Sequence, residues 1–162
     1  MATADFVLVT QWRIEADRDA VWEALKHPLE WPRWWPYVRA VEELDAGDAD
    51  GVGARYRFHW GSRLPYSIRL LTTVTEIVKP QTISARAEGD LRGTGTWRLD
   101  GNDRETRVEY TWSVDLDRVW MRALLPVLRP AFAWNHNAVM AAGEIGLRRH
   151  LARAGGPVSS AR

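Results

Sequence analysis

The side chains best suited to chemistry are neighbours near the end of the chain, Asn135 and His136. Both lie in a long apolar segment, and at 100° per residue Asn135 falls at the centre of a face of small residues. The other residues predicted on that inward face include Ala131, Ala138, Val139 and Ala142. Small residues leave space beside a helix, and a buried amide needs hydrogen-bonding partners. Asn135 therefore predicts either an amide that orients a ligand carbonyl or hydroxyl, or a structural amide that bonds the sheet or a short helix.

His136 is a candidate general base, because an imidazole titrates near neutral pH. It follows Asn135 by about 100° around the helix, which places it on the flank of the small-residue face. Two interpretations stay open: a catalytic group that reaches into the interior, or a histidine that bonds a loop or faces solvent. Asn135 and His136 are thus the candidate catalytic residues, and the sequence leaves their roles unassigned.

Several other chemistries have no residues to carry them. The chain has no cysteine, and its four histidines show no metal-ligand spacing. Gly93-Thr94-Gly95-Thr96 lacks the third glycine of a dinucleotide fingerprint and lies inside a predicted strand. Glycines in a strand indicate a bulge or a close approach of another group. We therefore expect no metal site and no cofactor.

Aromatic residues recur on one side of the predicted strands. They are Tyr56, Phe58, Trp60, Tyr66, Trp97, Tyr110 and Trp112, with Trp35 close to one end. Facing a helix of small residues, such a set predicts a cavity that stacks against a flat or extended apolar ligand. Plain core packing is the alternative, since large residues on a sheet also interdigitate with small residues on a helix.

The elements that position these residues follow from hydrophobic periodicity. Alternation predicts a strand over 6–14, two short helices before residue 36, and six further strands between 38 and 115. The second, third and sixth of these strands are predicted over 55–60, 65–78 and 107–115. A helix is predicted from Trp120 to Ala152, with Pro126 and Pro130 kinking or splitting its start. The fold class is therefore α+β: a curved seven-stranded antiparallel sheet, a long C-terminal helix across one face, and two short helices between strands 1 and 2.

Length and composition limit the classes of function. The 162 residues, with 46% hydrophobic content and 10 tryptophans, predict one domain over 1–154 and a disordered tail over 155–162. The net charge of +1 gives no reason to expect a nucleic-acid partner. No apolar run reaches membrane-spanning length, so we expect no stable membrane insertion. The N-terminus lacks a basic leader, and the default expectation is a cytoplasmic protein.

Five short motifs stand out along the chain: Ala20-Val21-Trp22, Trp31 to Trp35, Gly51-Val52-Gly53-Ala54, Gly89-Asp90-Leu91 with Gly93 and Gly95, and Trp134-Asn135-His136 with Val139-Met140 and Gly143. With the order of the predicted elements, these motifs resemble the START/Bet v 1-like (SRPBCC) helix-grip superfamily, in particular its bacterial polyketide cyclase/dehydrase-like group. The resemblance covers residues 5–152. It implies a helix-grip fold and a cavity for lipids, polyketides or other aromatic compounds, and it assigns no cyclase active-site residues.

Three functions remain open at this point. The first is binding of a hydrophobic small molecule between sheet and helix. The second is a polyketide cyclase or dehydratase that acts on a ligand in the same cavity, with Asn135, His136 or a tyrosine hydroxyl polarising a carbonyl. The third is an interaction module with a packed interior, whose surface from Trp31 to Tyr37 forms a homodimer.

Overall fold

A computed structural model describes residues 4–116 and 119–155, so most of the predicted tail lies outside the described residues. Seven strands form one antiparallel sheet in the order β1-β7-β6-β5-β4-β3-β2. Their bounds are β1 Phe6–Ile14, β2 Val38–Asp45, β3 Arg55–Trp60, β4 Ile68–Val78, β5 Thr82–Gly89, β6 Arg92–Gly101 and β7 Thr106–Asp115. The helices are α1 Arg18–Lys26, α2 Trp31–Trp34 and α3 Val119–Ala154, with a short 3₁₀ turn at Pro28–Glu30. This is the predicted helix-grip architecture.

Alternation of buried and exposed residues defines the strands, and an N-cap residue fixes where the first helix begins. Along β1, Phe6, Trp12 and Ile14 are buried while their neighbours face out. The N-cap of α1 is Asp17, whose side chain accepts a hydrogen bond from the Ala20 backbone N–H at 2.8 Å. Predicted and observed bounds differ most at β4, because residues 65–67 belong to the loop before the strand.

Helix α3 runs through both of its prolines as one helix, so the predicted split at Pro126 and Pro130 is wrong. Charged side chains of α3 form hydrogen bonds with the backbone at the free edge of β1. The Arg13 backbone N–H donates to Glu144 Oε1 at 2.9 Å, and Arg148 donates to the Arg13 carbonyl at 2.7 and 2.9 Å. These bonds satisfy backbone groups that an edge strand would otherwise leave unpaired.

Two glycines bring α3 close to the α2 segment. A Cβ on Gly143 would overlap the Trp35 indole, and a Cβ on Gly146 would overlap the Trp34 carbonyl oxygen. The Trp35 indole Nε1 donates to the Val139 carbonyl at 2.8 Å. The C-terminal half of α3 therefore packs on α2. Its N-terminal half packs on a separate cluster of buried residues that includes Phe6, and Phe132 lies near the Phe6 ring.

Candidate ligand-binding site

A cavity of about 240 Å³ lies between the concave face of the sheet and α3. This volume is slightly below the range of about 300–1,000 Å³ that is typical of small-molecule pockets. Ten of the thirteen residues predicted to contact a ligand line it: Trp35, Tyr56, Phe58, Trp60, Tyr66, Trp97, Tyr110, Trp112, Asn135 and Val139. The structure thus brings the predicted aromatic set together around one space, although ligand contact itself stays a prediction.

The predicted inward face of α3 needs correction. Ala131 is exposed, Ala138 and Ala142 are half-buried, and none of the three lines the cavity. The buried residues of α3 are Asn135, Met140, Gly143 and Leu147. The inward face is therefore turned towards His136, Met140 and Gly143, because larger side chains such as Phe132 and Met140 line the cavity while Ala131 is exposed.

Sequence reasoning missed several aliphatic lining residues. Ile68, Leu70, Thr72 and Val74 line the cavity from β4, and Ala85 lines it from β5. Their signal is visible in the sequence as an alternation on β4 in phase with Tyr66. The largely aliphatic lining of β4 and β5 thus lies between the aromatic lining of β3 and that of β6 and β7, so both stacking and plain apolar contact are available to a ligand.

Asn135 supplies a polar corner in this apolar wall. It accepts hydrogen bonds at Oδ1 from the Arg63 backbone N–H at 3.0 Å and from Ser62 Oγ at 3.1 Å. A backbone N–H can only donate, so this contact fixes which end of the amide is oxygen. The amide therefore holds the loop between β3 and β4, which favours the structural interpretation for its oxygen. Its Nδ2 group has no partner among the described residues and keeps two donors.

His136 lines the cavity, so the interpretation that it faces solvent is wrong, and a catalytic role stays a prediction. Both ring nitrogens are buried, and neither accepts or donates a hydrogen bond within the described part of the chain. The ring stacks on Tyr110 with centroids 6.3 Å apart. Burial lowers the pKa of His136 to about 4, and the nearby Asn137 side chain opposes part of that shift. The imidazole is therefore neutral at physiological pH.

This depressed pKa predicts a pH-dependent stability. An unfolded chain whose histidine titrates near 6.5 binds more protons than the folded protein between pH 6.5 and 4. The contribution of His136 is thus complete above pH 6.5 and is lost as the pH falls. Lowering the pH from 7 to 5 should reduce the free energy of unfolding by about 2 kcal/mol through this residue. Urea unfolding at both pH values measures it.

Two variants control the pH experiment. His136→Phe keeps a ring against Tyr110 and removes the unpaired nitrogens, so its stability should fall less between pH 7 and 5 than that of the parent chain. His27→Gln alters an exposed histidine and should retain the full loss. Parallel pH curves for the parent chain and His136→Phe would contradict the buried neutral imidazole.

Gly95 makes room for the Tyr110 hydroxyl. A Cβ on Gly95 would overlap Tyr110 Oη and lie 3.1 Å from two ring carbons. Burial raises the pKa of Tyr110 far above its usual value, and burial followed by the Glu43 carboxylate raises the pKa of Tyr56. Both phenols therefore stay protonated and offer O–H groups. The predicted close approach at Gly95 is confirmed, and the approaching group is a cavity-lining tyrosine.

The tryptophans from 31 to 35 are core residues. Trp31, Trp34 and Trp35 are 7%, 6% and 1% exposed, and they lie in one cluster with Trp12 and Trp97. The predicted dimer surface from Trp31 to Tyr37 is therefore wrong, because these rings are buried within the chain. The packed interior of that hypothesis is also absent, since the cavity lies beside the cluster. A homodimer stays a prediction that needs another surface.

Neither a metal-binding cluster nor a membrane-spanning helix occurs in the described part of the chain. Among residues 4–116 and 119–155, no group of three or more His, Asp or Glu side chains could hold a metal ion. No described helix is both long enough and apolar enough to cross a membrane.

The geometry defines a helix-grip protein with an apolar cavity and one polar corner. The chain belongs to the family described as "Polyketide cyclase / dehydrase and lipid transport", which matches residues 6–151. The resemblance to the START/Bet v 1-like superfamily is thereby confirmed. No curated protein matches the sequence.

Solved structures share the fold at low sequence identity. The protein TTHA0849 from Thermus thermophilus is 18% identical with a TM-score of 0.75, covering 93% of this chain and 100% of that one. The Zhui aromatase/cyclase from Streptomyces sp. R1128 is 17% identical with a TM-score of 0.71, covering 94% and 99%. A START superfamily protein from Mycobacterium smegmatis is 14% identical with a TM-score of 0.69, covering 91% and 98%. At these identities the likeness establishes the fold alone.

Proposed function

We propose that this protein binds a hydrophobic small molecule, either a lipid, a polyketide or another aromatic compound, in the cavity between the sheet and α3. The observation that carries the proposal is the cavity wall, which combines aromatic side chains of β3, β6 and β7 with aliphatic side chains of β4 and β5. Burying apolar ligand surface there gains about 25 cal/mol per Å². Family membership supports this class of function without naming the ligand.

The polar corner indicates what the ligand carries. Asn135 Nδ2 is a donor without a partner among the described residues, and His136 is a neutral imidazole without partners there. Donors and acceptors at an apolar wall fix the orientation of a ligand and select for polar atoms at one place. The preferred ligand is therefore an apolar molecule with one carbonyl or hydroxyl oxygen near α3.

The experiment fills the cavity with a larger side chain and compares probe binding by that variant with probe binding by a matched variant altered outside the cavity. Ala85 lines the cavity, and its neighbour Arg86 is exposed on the other face of β5. Ala85→Phe should weaken binding of an anilinonaphthalene sulfonate probe at least about tenfold, because the new ring takes the ligand's space. Arg86→Phe adds the same ring outside and should leave probe binding unchanged. Equal probe binding by all three chains would refute the cavity as the binding site.

Native mass spectrometry followed by organic extraction identifies any bound molecule. A co-purifying apolar compound, absent from Ala85→Phe and present in Arg86→Phe, supports binding in the cavity.

A second candidate function is a cyclisation or dehydration of the bound ligand. It is favoured by one observation, the pairing of a free amide donor on Asn135 with a neutral imidazole on His136. A donor that polarises a carbonyl stabilises the developing oxyanion, and a neutral imidazole can accept a proton. Incubation with a ligand identified by extraction separates the two functions. Recovery of the same compound, with unchanged mass and unchanged chromatographic retention, favours a carrier. A product of the same mass but different retention favours a cyclase, and loss of one water favours a dehydratase.

A further inference from the structure

The outer face of α3 carries a continuous apolar stripe that faces solvent. Its large residues are Trp120, Leu124, Val127, Trp134 and Ile145, all between 46% and 74% exposed. Its small residues, Ala131, Ala138 and Ala141, fill the positions between them. We call these eight residues the α3 stripe. Monomeric proteins rarely expose an apolar surface of this length, so the stripe marks an interaction site.

Nothing in the described part of the chain covers the α3 stripe. The opposite side of the helix, with Met140, Gly143 and Leu147, packs on the sheet and on α2. Within the described ranges, the one ring contact on the stripe is that of Trp134 with the Arg63 guanidinium, 5.0 Å from the ring centroid. Ala131 and Ala138 were expected to line the cavity, whereas Ala131 is exposed and Ala138 is half-buried, and both lie on the stripe.

The spacing of the α3 stripe matches a helical partner. Successive members are four and three residues apart in strict alternation from Trp120 to Ile145. This is the a/d repeat of a coiled-coil seam, and it extends over about 37 Å at 1.5 Å per residue. A bilayer surface requires a segregated apolar face but no such repeat, so the pattern favours a packed helix over a lipid surface.

The order of large and small residues fits a second copy of the same helix. In an antiparallel pair centred between Phe132 and Ala133, Leu124 faces Ala141 and Val127 faces Ala138 of the other copy. Trp134 faces Ala131, and only the outermost layer joins two large residues, Trp120 and Ile145. Each inner layer thus combines a large with a small side chain, as close packing requires. The arrangement is self-complementary, which is the condition for a twofold interface.

The positions of the basic residues on α3 are compatible with this antiparallel pair of helices. The basic residues of the N-terminal half are Arg122 and Arg129, which lie off the stripe at helical spacing, and Arg122 pairs with Asp5 at 3.1 Å. These two charges therefore lie off the seam, and the cation that borders it is the Arg63 guanidinium on the Trp134 ring. Antiparallel packing also opposes the two helix dipoles.

We propose that this protein forms a homodimer through antiparallel packing of the α3 stripes of two copies. The inference goes beyond ligand binding and does not rest on it. A strip one helix wide and about 37 Å long is smaller than a standard stable interface, so association is reversible and depends on concentration.

Sedimentation velocity from micromolar to submillimolar concentration tests the dimer. The parent chain should shift from monomer to dimer over this range. Val127→Arg places a cation against Ala138 of the other copy, and Ala138→Glu places an anion against Val127, so each variant should dissociate at least about tenfold more readily. The double variant Val127→Arg/Ala138→Glu pairs opposite charges in both layers and should recover association. Circular dichroism checks that every variant is folded.

Val78→Arg is the matched control, since Val78 is 45% exposed on β4 and lies outside the stripe. It should associate like the parent chain. A parent chain that stays monomeric at submillimolar concentration overturns the proposal, as does a dimer that Val127→Arg leaves unchanged. A monomeric chain that binds phosphatidylcholine–phosphatidylglycerol vesicles would assign the stripe to a bilayer.

Discussion

Replacing Trp35 by alanine should lower the free energy of unfolding by about 3–5 kcal/mol, the largest loss we expect from a single substitution. The indole is 1% exposed and contacts the rings of Trp12, Trp31 and Trp60 at centroid distances of 5.4, 5.4 and 5.0 Å. Its removal would leave a large void beside the cavity and would break the hydrogen bond to the Val139 carbonyl. Urea unfolding followed by far-UV circular dichroism measures the loss.

Trp120→Ala is the matched control for this experiment. Trp120 is 55% exposed and forms no ring contact among the described residues, so the same truncation in dilute solution should cost less than about 1 kcal/mol. Trp35→Phe tests the mechanism further, because it keeps an aromatic ring and loses the indole N–H. Equal losses at Trp35 and Trp120 would show that the tryptophan cluster does not hold α3 on the sheet.

The sheet could be predicted closely because its faces differ in polarity. Strand β3 was predicted over 55–60 and is found at Arg55–Trp60, and β7 was predicted over 107–115 and is found at Thr106–Asp115. In both, charged or polar residues alternate with aromatic or aliphatic ones. When one face meets solvent and the other a core, a period of two fixes both the strand and the direction of its side chains.

The orientation of α3 could not be predicted in the same way. Apolar residues surround this helix from Val119 to Leu147, so it lacks the polar face that would set its rotation. The prediction then relied on side-chain size and assigned the small residues to the interior. In the structure, Phe132 and Met140 line the cavity and Ala131 is exposed. The deciding contacts are distant in sequence, such as Gly143 against Trp35.

The site was predictable in its residue types but only partly in its contacts. Asn135 was placed at the cavity correctly, because a single amide in an apolar face is a local signal. Its partners, the Arg63 backbone N–H and Ser62, lie more than seventy residues away. Likewise, the glycines of β6 indicated a close approach, while the identity of the approaching group depended on the register that sets Gly95 beside Tyr110.

The strand register around Gly95 leads to the second prediction with a large expected effect on stability. The residue pairs with Ala85 on β5 and with Trp112 on β7, and the Tyr110 hydroxyl occupies the space above it. Gly95→Ala should lower the free energy of unfolding by about 3 kcal/mol, at the upper end for an overpacked core, because the enclosed ring has to move. Displacement of the ring into the cavity should also weaken probe binding. Urea unfolding and probe titration measure the two effects.

Tyr110→Phe reveals whether the hydroxyl causes this loss. Removing Oη deletes the worst overlap, although the ring carbons at 3.1 Å remain close. The double variant Gly95→Ala/Tyr110→Phe should therefore be more stable than the sum of the single losses predicts, by about 1 kcal/mol or more. Additive losses would mean that the added methyl is resisted elsewhere, for example at Trp112. Coupled losses, together with recovered probe binding, would show that a glycine on the sheet sets the position of a cavity-lining phenol.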